Sequence, residues 1–263
     1  MSDSSPTRSA LRDGWLLAAG TLTVVRWPSP VRVDRRSAGA AMLLAPLAVL
    51  PIGLAAALVV WLGDLVDAPP LAVGLLTTGV LALASRGLHL DGLSDVADSL
   101  TASHDRERSL EVMKGGTAGP AGAATLVVVL GLQAACVAAL VGTDAAPLVV
   151  GAIVCLSRAA LSICCATGVP PARDSGLAIS FAGTVPRVAA AVIWVLVLGA
   201  GTGLALAAHL PWWRGLVLAG ALLLGTLAVL ERCLRRHGGV TGDCFGAAIE
   251  IALTAGLIAA SVP

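Results

Sequence analysis

The stretch that organises this sequence is residues 85–98, SRGLHLDGLSDVAD, which joins a strongly apolar run to an acidic segment. If the stretch is helical, Asp91, Asp95 and Asp98 lie four and three residues apart, which places their carboxylates on one face of the helix. Three like charges on one stripe repel one another unless a cation lies between them, and hard divalent cations prefer such oxygen ligands. The stretch therefore predicts a metal site, with a solvated acidic helix face as the alternative.

The composition is that of an integral membrane protein. Hydrophobic residues make up 57% of the 263 residues and charged residues 13%, with a mean hydropathy of +0.90. Soluble domains have about 25% charged residues. Runs of roughly 20 apolar residues suit transmembrane helices, so we expect an all-α polytopic bundle in a lipid bilayer. The net charge of +1 gives no indication of a nucleic-acid partner, and we expect none.

Seven apolar runs are long enough to cross a membrane as helices. They predict one membrane-embedded domain over residues 1–263, made of a cytoplasmic or interfacial segment at 1–38 and a transmembrane bundle at 39–263. Small residues within the runs would permit close helix packing. The predicted spans are 39–63, 70–89, 118–142, 145–167, 187–208, 212–230 and 244–262.

Positively charged residues alternate between the two sides of these spans. Six arginines precede the first span, the loop after it has no Lys or Arg, and the loop after the second span has three. Positive residues near span ends are retained in the cytoplasm, so we expect a multi-pass cell-membrane protein with a cytoplasmic N-terminus, an external C-terminus and a cytoplasmic acidic stripe. An alternative, in which the third and fourth spans do not fully cross, leaves the same loops inside.

The six cysteines predict neither disulfides nor a zinc site. They show no Cys-x-x-Cys spacing, and most lie in apolar runs. We therefore interpret them as small buried hydrophobic residues. They are Cys136, Cys155, Cys164, Cys165, Cys233 and Cys244.

Other polar groups fall on the same predicted face as the acidic stripe. His89 is a candidate general base or substrate ligand, with a hydrogen-bonded boundary histidine as the alternative. Arg158 lies within a span and must find a partner, either an anionic substrate or an acidic side chain. Arg173 offers a second cation for a phosphate. Asp243, at the start of the last span, is either a helix cap or a ligand that completes a two-metal cluster, and Glu250 lies two turns deeper.

Three segments resemble cobalamin synthase, namely HLDGLSDVAD at 89–98, RERSLEVM at 106–113 and TGDCFGAAIE at 241–250. The resemblance also includes residues 157–158 and 173–177. This family, adenosylcobinamide-GDP ribazoletransferase, implies a magnesium-dependent membrane enzyme that joins α-ribazole, or its 5′-phosphate, to adenosylcobinamide-GDP and releases GMP. The acidic core is also similar to the metal-binding motif of CDP-alcohol phosphotransferases.

The sequence departs from this family between Met113 and Gly119. Relatives usually have an acidic residue there, whereas the run Lys114-Gly115-Gly116-Thr117-Ala118 contains none. If that acid is a metal ligand in the relatives, this chain binds metal with one ligand fewer or is impaired. The glycines of 115–122 could instead bring backbone amides close to a phosphate.

The residues and the resemblance together imply a phosphoryl-group transfer. Mg²⁺ would grip the diphosphate of adenosylcobinamide-GDP, and a carboxylate or His89 would accept the proton of the attacking ribazole hydroxyl. A CDP-alcohol phosphotransferase that makes phospholipid and a secondary transporter are the alternatives. The predicted metal ligands are Asp91, Asp95, Asp98 and Asp243, the catalytic residues are Asp91, Asp95 and His89, and the substrate-binding residues are Arg158, Arg173, Lys114 and Thr241.

Overall fold

The chain folds into helices wherever the apolar runs occur. The computed structural model describes residues 6–113, 115 and 117–262, and among these residues the only extended pairings are a pair of isolated β-bridges. The predicted all-α class is confirmed. The helices are α1 (Pro6–Leu22), α2 (Arg35–Ala48), α3 (Leu50–Leu65), α4 (Pro70–Ala84), α5 (Leu88–Ala102), α6 (Arg106–Val112), α7 (Pro120–Leu140), α8 (Ala146–Ser157), α9 (Ala160–Cys164), α10 (Leu177–Phe181), α11 (Arg187–Ala207), α12 (Trp213–His237) and α13 (Gly242–Ser261).

Within the described residues, six helical stretches are long and apolar enough to cross a membrane. They confirm six of the seven predicted spans, with shifted ends. Helix α12 continues to His237 rather than ending at 230, because the charged residues that end its apolar run are still good helix formers. The first stretch begins at Arg35, where the Asp34 carboxylate caps the helix; the backbone N–H of Ser37 lowers the pKa of that carboxyl. The stretches are Arg35–Leu65, Pro120–Leu140, Ala146–Cys164, Arg187–Ala207, Trp213–His237 and Gly242–Ser261.

The predicted second span at 70–89 is wrong as one straight helix. Helix α4 ends at Ala84, α5 begins at Leu88, and the two helices are bent by 93°. Between them Arg86 and Gly87 have φ values of +59° and +67°, a region in which a right-handed helix cannot continue. Helix α4 has 15 residues, so it is about 22 Å long and shorter than a bilayer core. The bent pair together is a seventh candidate crossing.

The N-terminal segment consists of helix α1, which packs on α2, and a loop that is hydrogen-bonded back to α1. Gly14 of α1 lies so close to α2 that an added Cβ would be 2.7 Å from the Cβ of Ala40. The Asp13 carboxylate accepts hydrogen bonds from the backbone N–H groups of Val31 and Arg32, at 2.9 and 3.2 Å. These contacts fold the loop back onto α1 and hold it against the bundle.

The connections between helices gather at two ends of the bundle. At one end the α7–α8 connection, the α11–α12 connection and the last residues of α13 line a common cavity of about 580 Å³. At the other end the loop after α9 meets the α12–α13 turn, where the N–H of Ala172 donates to the carbonyl of Val240 at 2.9 Å. Helices α5 and α6 lie at this second end, and so does the predicted acidic stripe.

Helices α3 and α8 approach each other through a pair of glycines. A Cβ added to Gly53 would lie 2.7 Å from the carbonyl oxygen of Gly151, and a Cβ added to Gly151 would lie 2.8 Å from the carbonyl oxygen of Gly53. In a bilayer, van der Waals contact between helices replaces the hydrophobic effect as the main source of association. The predicted use of small residues for close packing is therefore confirmed at this crossing.

Replacing Gly53 with alanine should separate α3 from α8, because the new methyl group meets a backbone carbonyl that cannot rotate away. We expect Gly53→Ala to lower the free energy of unfolding by about 1–3 kcal/mol, measured as thermal stability in detergent by fluorescence-detected size-exclusion chromatography. Gly79→Ala on α4 is the matched control, since an added Cβ there meets nothing within 4 Å. Equal melting temperatures of the two variants would contradict the predicted contact.

Candidate active site

Helix α5 crosses the start of α13 at van der Waals distance. A Cβ added to Gly92 of α5 would lie 2.7 Å from the carbonyl oxygen of Asp243, and one added to Gly246 of α13 would lie 3.0 Å from the Cα of His89. The close approach is possible because both positions are glycine. It brings together two motifs that are about 150 residues apart in the sequence.

Three carboxylates meet where the two helices cross, and we call Asp91, Asp95 and Asp243 the acidic cluster. Asp91 is exposed, while Asp95 and Asp243 are half-buried. The Asp95 carboxylate lies within electrostatic range of both other members, and also of Asp98 and the Arg173 guanidinium. The predicted convergence of the stripe on α5 with Asp243 is therefore what the structure shows, at the same end of the bundle as the loop after α9.

Arg173 and Thr241 border a small cavity beside Asp243. The cavity has a volume of about 180 Å³ and is also lined by residues 175–178. Arg173 is tied to α6, because its guanidinium donates to the carbonyl oxygen of Leu110 at 2.6 Å. Thr241 is the N-cap of α13, and its hydroxyl donates to the Asp243 carboxylate at 3.1 Å. Two of the four predicted substrate-binding residues, Arg173 and Thr241, therefore lie next to the acidic cluster, whereas Lys114 lies outside the described residues.

Asp98 differs from the other acids because its carboxylate is already occupied by backbone donors. Its oxygens accept hydrogen bonds from the N–H groups of Gly119 at 2.6 Å and Gly122 at 2.9 Å. These are two of the donors that a helix N-terminus leaves without partners, so Asp98 fixes the start of α7 against α5. The sequence suggests that glycine N–H groups of this run contact a phosphate. In the structure those of Gly119 and Gly122 donate to the Asp98 carboxylate of the chain itself.

The donor set of the acidic cluster fits a hard divalent cation. Carboxylate oxygens are the ligands that Mg²⁺ takes in proteins, usually one or two together with water and substrate oxygens. In the described residues of the chain no three of these carboxylates have oxygens within 4.8 Å of one another. These residues therefore form no closed three-carboxylate cage, and a metal ion at this cluster would also need oxygens from water or substrate.

His89 and Arg158 belong to a second, buried group that includes Glu250. The His89 ring nitrogen Nδ1 lies 3.7 Å from a Glu250 oxygen, and the Gln133 amide donates to the other oxygen at 2.9 Å. Arg158 is 1% exposed, and its guanidinium donates to the Val154 carbonyl at 2.7 Å. This group, which we call the Glu250 cluster, lies two turns along α13 from the acidic cluster.

Two predicted site residues, His89 and Arg158, lie in the Glu250 cluster and not in the acidic cluster. His89 faces Glu250, although it also borders a cavity of about 180 Å³ that reaches Asp243. Arg158 lies within electrostatic range of Glu250 and is closed off from solvent. The catalytic role of His89 and the substrate contact of Arg158 stay predictions. Gln133 is not among the predicted site residues, although a polar amide in an otherwise apolar span requires a partner and therefore indicates a buried polar group.

Asp98→Asn should destabilise the fold, because an asparagine can accept from only one of the two backbone donors and leaves the other buried without a partner. We expect a loss of about 1–3 kcal/mol in the free energy of unfolding, measured as the melting temperature in detergent. Asp91→Asn is the matched control, since Asp91 is exposed and its side chain should leave stability unchanged. Equal effects on stability would argue against the capping role of Asp98.

Comparison with known proteins identifies the family. The family described as cobalamin-5-phosphate synthase matches residues 14–261. The chain is 51% identical over 249 residues to an adenosylcobinamide-GDP ribazoletransferase of a Nocardioides species, covering 95% of this chain and 98% of that one. It is 37% identical to the enzyme of that name from Frankia casuarinae, with 90% of each chain covered. No solved structure matches. The resemblance noted in the sequence is confirmed, and the chain belongs to the cobalamin-5-phosphate synthase family of adenosylcobinamide-GDP ribazoletransferases.

Proposed function

We propose that this chain joins α-ribazole, or its 5′-phosphate, to adenosylcobinamide-GDP and releases GMP, in a reaction that depends on Mg²⁺. The observation that carries the proposal is the convergence of Asp91, Asp95 and Asp243 beside Arg173. Unpaired carboxylates with one nearby guanidinium suit a metal-assisted reaction of a diphosphate, because the metal and the arginine offset its charge. Membership of the family supports this assignment.

The metal would be held by the acidic cluster, with Asp98 beside it. When bound, Mg²⁺ supplies positive charge against the negative charge of the diphosphate. Arg173 supplies a fixed cation at the same cavity, because its bond to the Leu110 carbonyl orients the guanidinium. Thr241 holds the Asp243 carboxylate by a hydrogen bond, so that residue is positioned before substrate arrives.

The reaction transfers the cobinamide phosphate from GMP to the ribazole. The ribazole hydroxyl oxygen forms a bond to the phosphorus on the cobinamide side, and the bond from that phosphorus to the bridging oxygen breaks. The electron pair of the broken bond leaves with GMP, and the hydroxyl proton passes to a carboxylate. Asp91 is the first candidate for this base, because it is the exposed member of the cluster.

We also propose that the N-terminus and the acidic cluster face the cytoplasm. The basic loops that follow the positive-inside pattern all lie at the end of the bundle that carries the acidic cluster. The opposite end carries Asp144 and the α11–α12 connection, together with the last residues of α13. An aqueous substrate assembled inside the cell would then reach the cluster without crossing the bilayer.

Neutralising one member of the acidic cluster should stop the reaction and leave the fold intact. We expect Asp91→Asn, Asp95→Asn and Asp243→Asn each to lower GMP release by at least about 100-fold. The assay uses purified protein, adenosylcobinamide-GDP, α-ribazole and Mg²⁺, with GMP measured by chromatography. Asp144→Asn at the opposite end is the control and should keep wild-type activity. Near-wild-type turnover by Asp91→Asn or Asp95→Asn would contradict the assignment. Full activity of the wild-type protein without Mg²⁺ would contradict the proposed role of the metal.

Alkaline phosphatase fusions test the orientation, since this reporter is active only outside the cytoplasm of bacteria. A fusion in the loop at Asp144 and one at the C-terminus should be active, and a fusion in the loop at Asp174 should be inactive. The expected pattern follows from odd and even crossings of the seven candidate spans. Activity at Asp174 with inactivity at Asp144 would reverse the proposed orientation.

A further inference from the structure

The corner between α12 and α13 contains a cluster of two thiols and an imidazole. Cys233 and His237 are four residues apart on the last turns of α12, and Cys244 lies on the first turn of α13. One ligand atom from each of the three lies within 4.8 Å of the others, and their exposed fractions are 0%, 0% and 1%. We propose that these three residues, which we call the Cys₂His cluster, bind a thiophilic divalent cation of the zinc type.

The imidazole of His237 is oriented as a metal ligand would be. Its Nε2 atom lies 3.2 Å from the Ser99 hydroxyl and 3.3 Å from the Ser109 hydroxyl. Its Nδ1 atom is buried and has no oxygen or nitrogen partner among the described residues, and the Cys244 thiol is the group that interacts with this ring. A thiol is a weak hydrogen-bond donor, so a metal ion shared by the two groups is a stronger partner for a buried ring nitrogen. Ligating histidines typically use one ring nitrogen for the metal and the other for an outer hydrogen bond.

The chemistry of the donors selects the class of cation. Sulfur and imidazole ligands suit zinc, whereas Mg²⁺ and Ca²⁺ take oxygen ligands. Two thiolates and a neutral imidazole around a divalent cation carry no net charge, which is the condition under which charged groups are tolerated in a buried site. A further thiol, that of Cys164 on α9, lies within electrostatic range of both Cys233 and Cys244, and in its neutral form it leaves this charge balance unchanged.

A metal at this corner would fix the turn that delivers Asp243 to the acidic cluster. The turn passes through Gly238, with φ of +69°, and Val240, whose N–H donates to the Pro170 carbonyl at 2.9 Å. Cys244 follows Asp243 directly in the sequence. The Cys₂His cluster would therefore act as a positioning element for Asp243.

Metal content tests this proposal without any substrate. Purified, tag-free protein is kept reduced, incubated with Zn²⁺, desalted and measured by inductively coupled plasma mass spectrometry. We expect about one zinc ion per chain in the wild type. Cys233→Ser and Cys244→Ser should each reduce this content at least about tenfold. Cys136→Ser, a buried thiol on α7, and Asp91→Asn, in the acidic cluster, are the controls and should keep the zinc.

The absorption spectrum of bound Co²⁺ reports whether thiolates are ligands in the wild-type protein. This measurement tests the proposal even if a serine variant fails to fold. Co²⁺ substituted for zinc should show thiolate-to-cobalt charge-transfer absorption in the wild type and in Cys136→Ser. Wild-type protein that holds no zinc and shows no such absorption would overturn the proposal. Full zinc content in both serine variants, or a Cys233–Cys244 disulfide in protein alkylated without reductant, would overturn it as well.

Discussion

The candidate site depends on one contact, the approach of the Gly92 backbone to the backbone of Asp243. In a membrane no hydrophobic effect drives two helices together, so their separation is set by the size of the residues between them. An added Cβ at Gly92 would lie 2.7 Å from the Asp243 carbonyl oxygen, which is too close for any side chain. The glycine thus places carboxylates from α5 and α13 in one cluster, although neither helix could form it alone.

Depth along α13 separates two kinds of charged group. At the helix start, Asp243 joins acids that have no ion-pair partner within 4.0 Å among the described residues. Two turns deeper, Glu250 is surrounded by His89, Gln133 and Arg158. Ionisable groups in an apolar interior are stable only when paired, whereas excess negative charge can persist at a wet end. Carboxylates of α13 can therefore recruit a cation only at the end where Asp243 lies.

The broad fold and half of the site were predictable from the sequence. Apolar run lengths predicted the spans because lipid thickness sets helix length. The convergence of Asp91 with Asp243 was predictable because an even number of membrane crossings separates the two residues, which places them on the same side of the bilayer. The 93° bend after Ala84 was not predictable in this way, because Arg86 adopts a positive φ that its residue type disfavours and hydropathy continues across the bend. Loop residues such as Arg173 are placed by hydrogen bonds to a distant helix, which local spacing does not encode.

The cysteines show why residue spacing alone is an incomplete guide in a helical membrane protein. Cys233 and Cys244 are separated by a helix end, a turn and a helix start, so the spacing of a zinc ribbon is absent. Their thiols meet because α12 and α13 form a hairpin. The sequence alone does not indicate His237 as a metal ligand. Its role depends on which ring nitrogen is hydrogen-bonded to Ser99 of α5 and Ser109 of α6, and only the structure shows this.

The run without a carboxylate at 114–118 can also be understood from these contacts. After this run the chain continues into Gly119 and Gly122, whose N–H groups donate hydrogen bonds to the Asp98 carboxylate. The start of α7 is therefore attached to α5 by hydrogen bonds within the protein, and this attachment needs no shared metal ion. A metal at the acidic cluster would accordingly take its protein ligands from α5 and α13, with substrate and water oxygens completing its coordination.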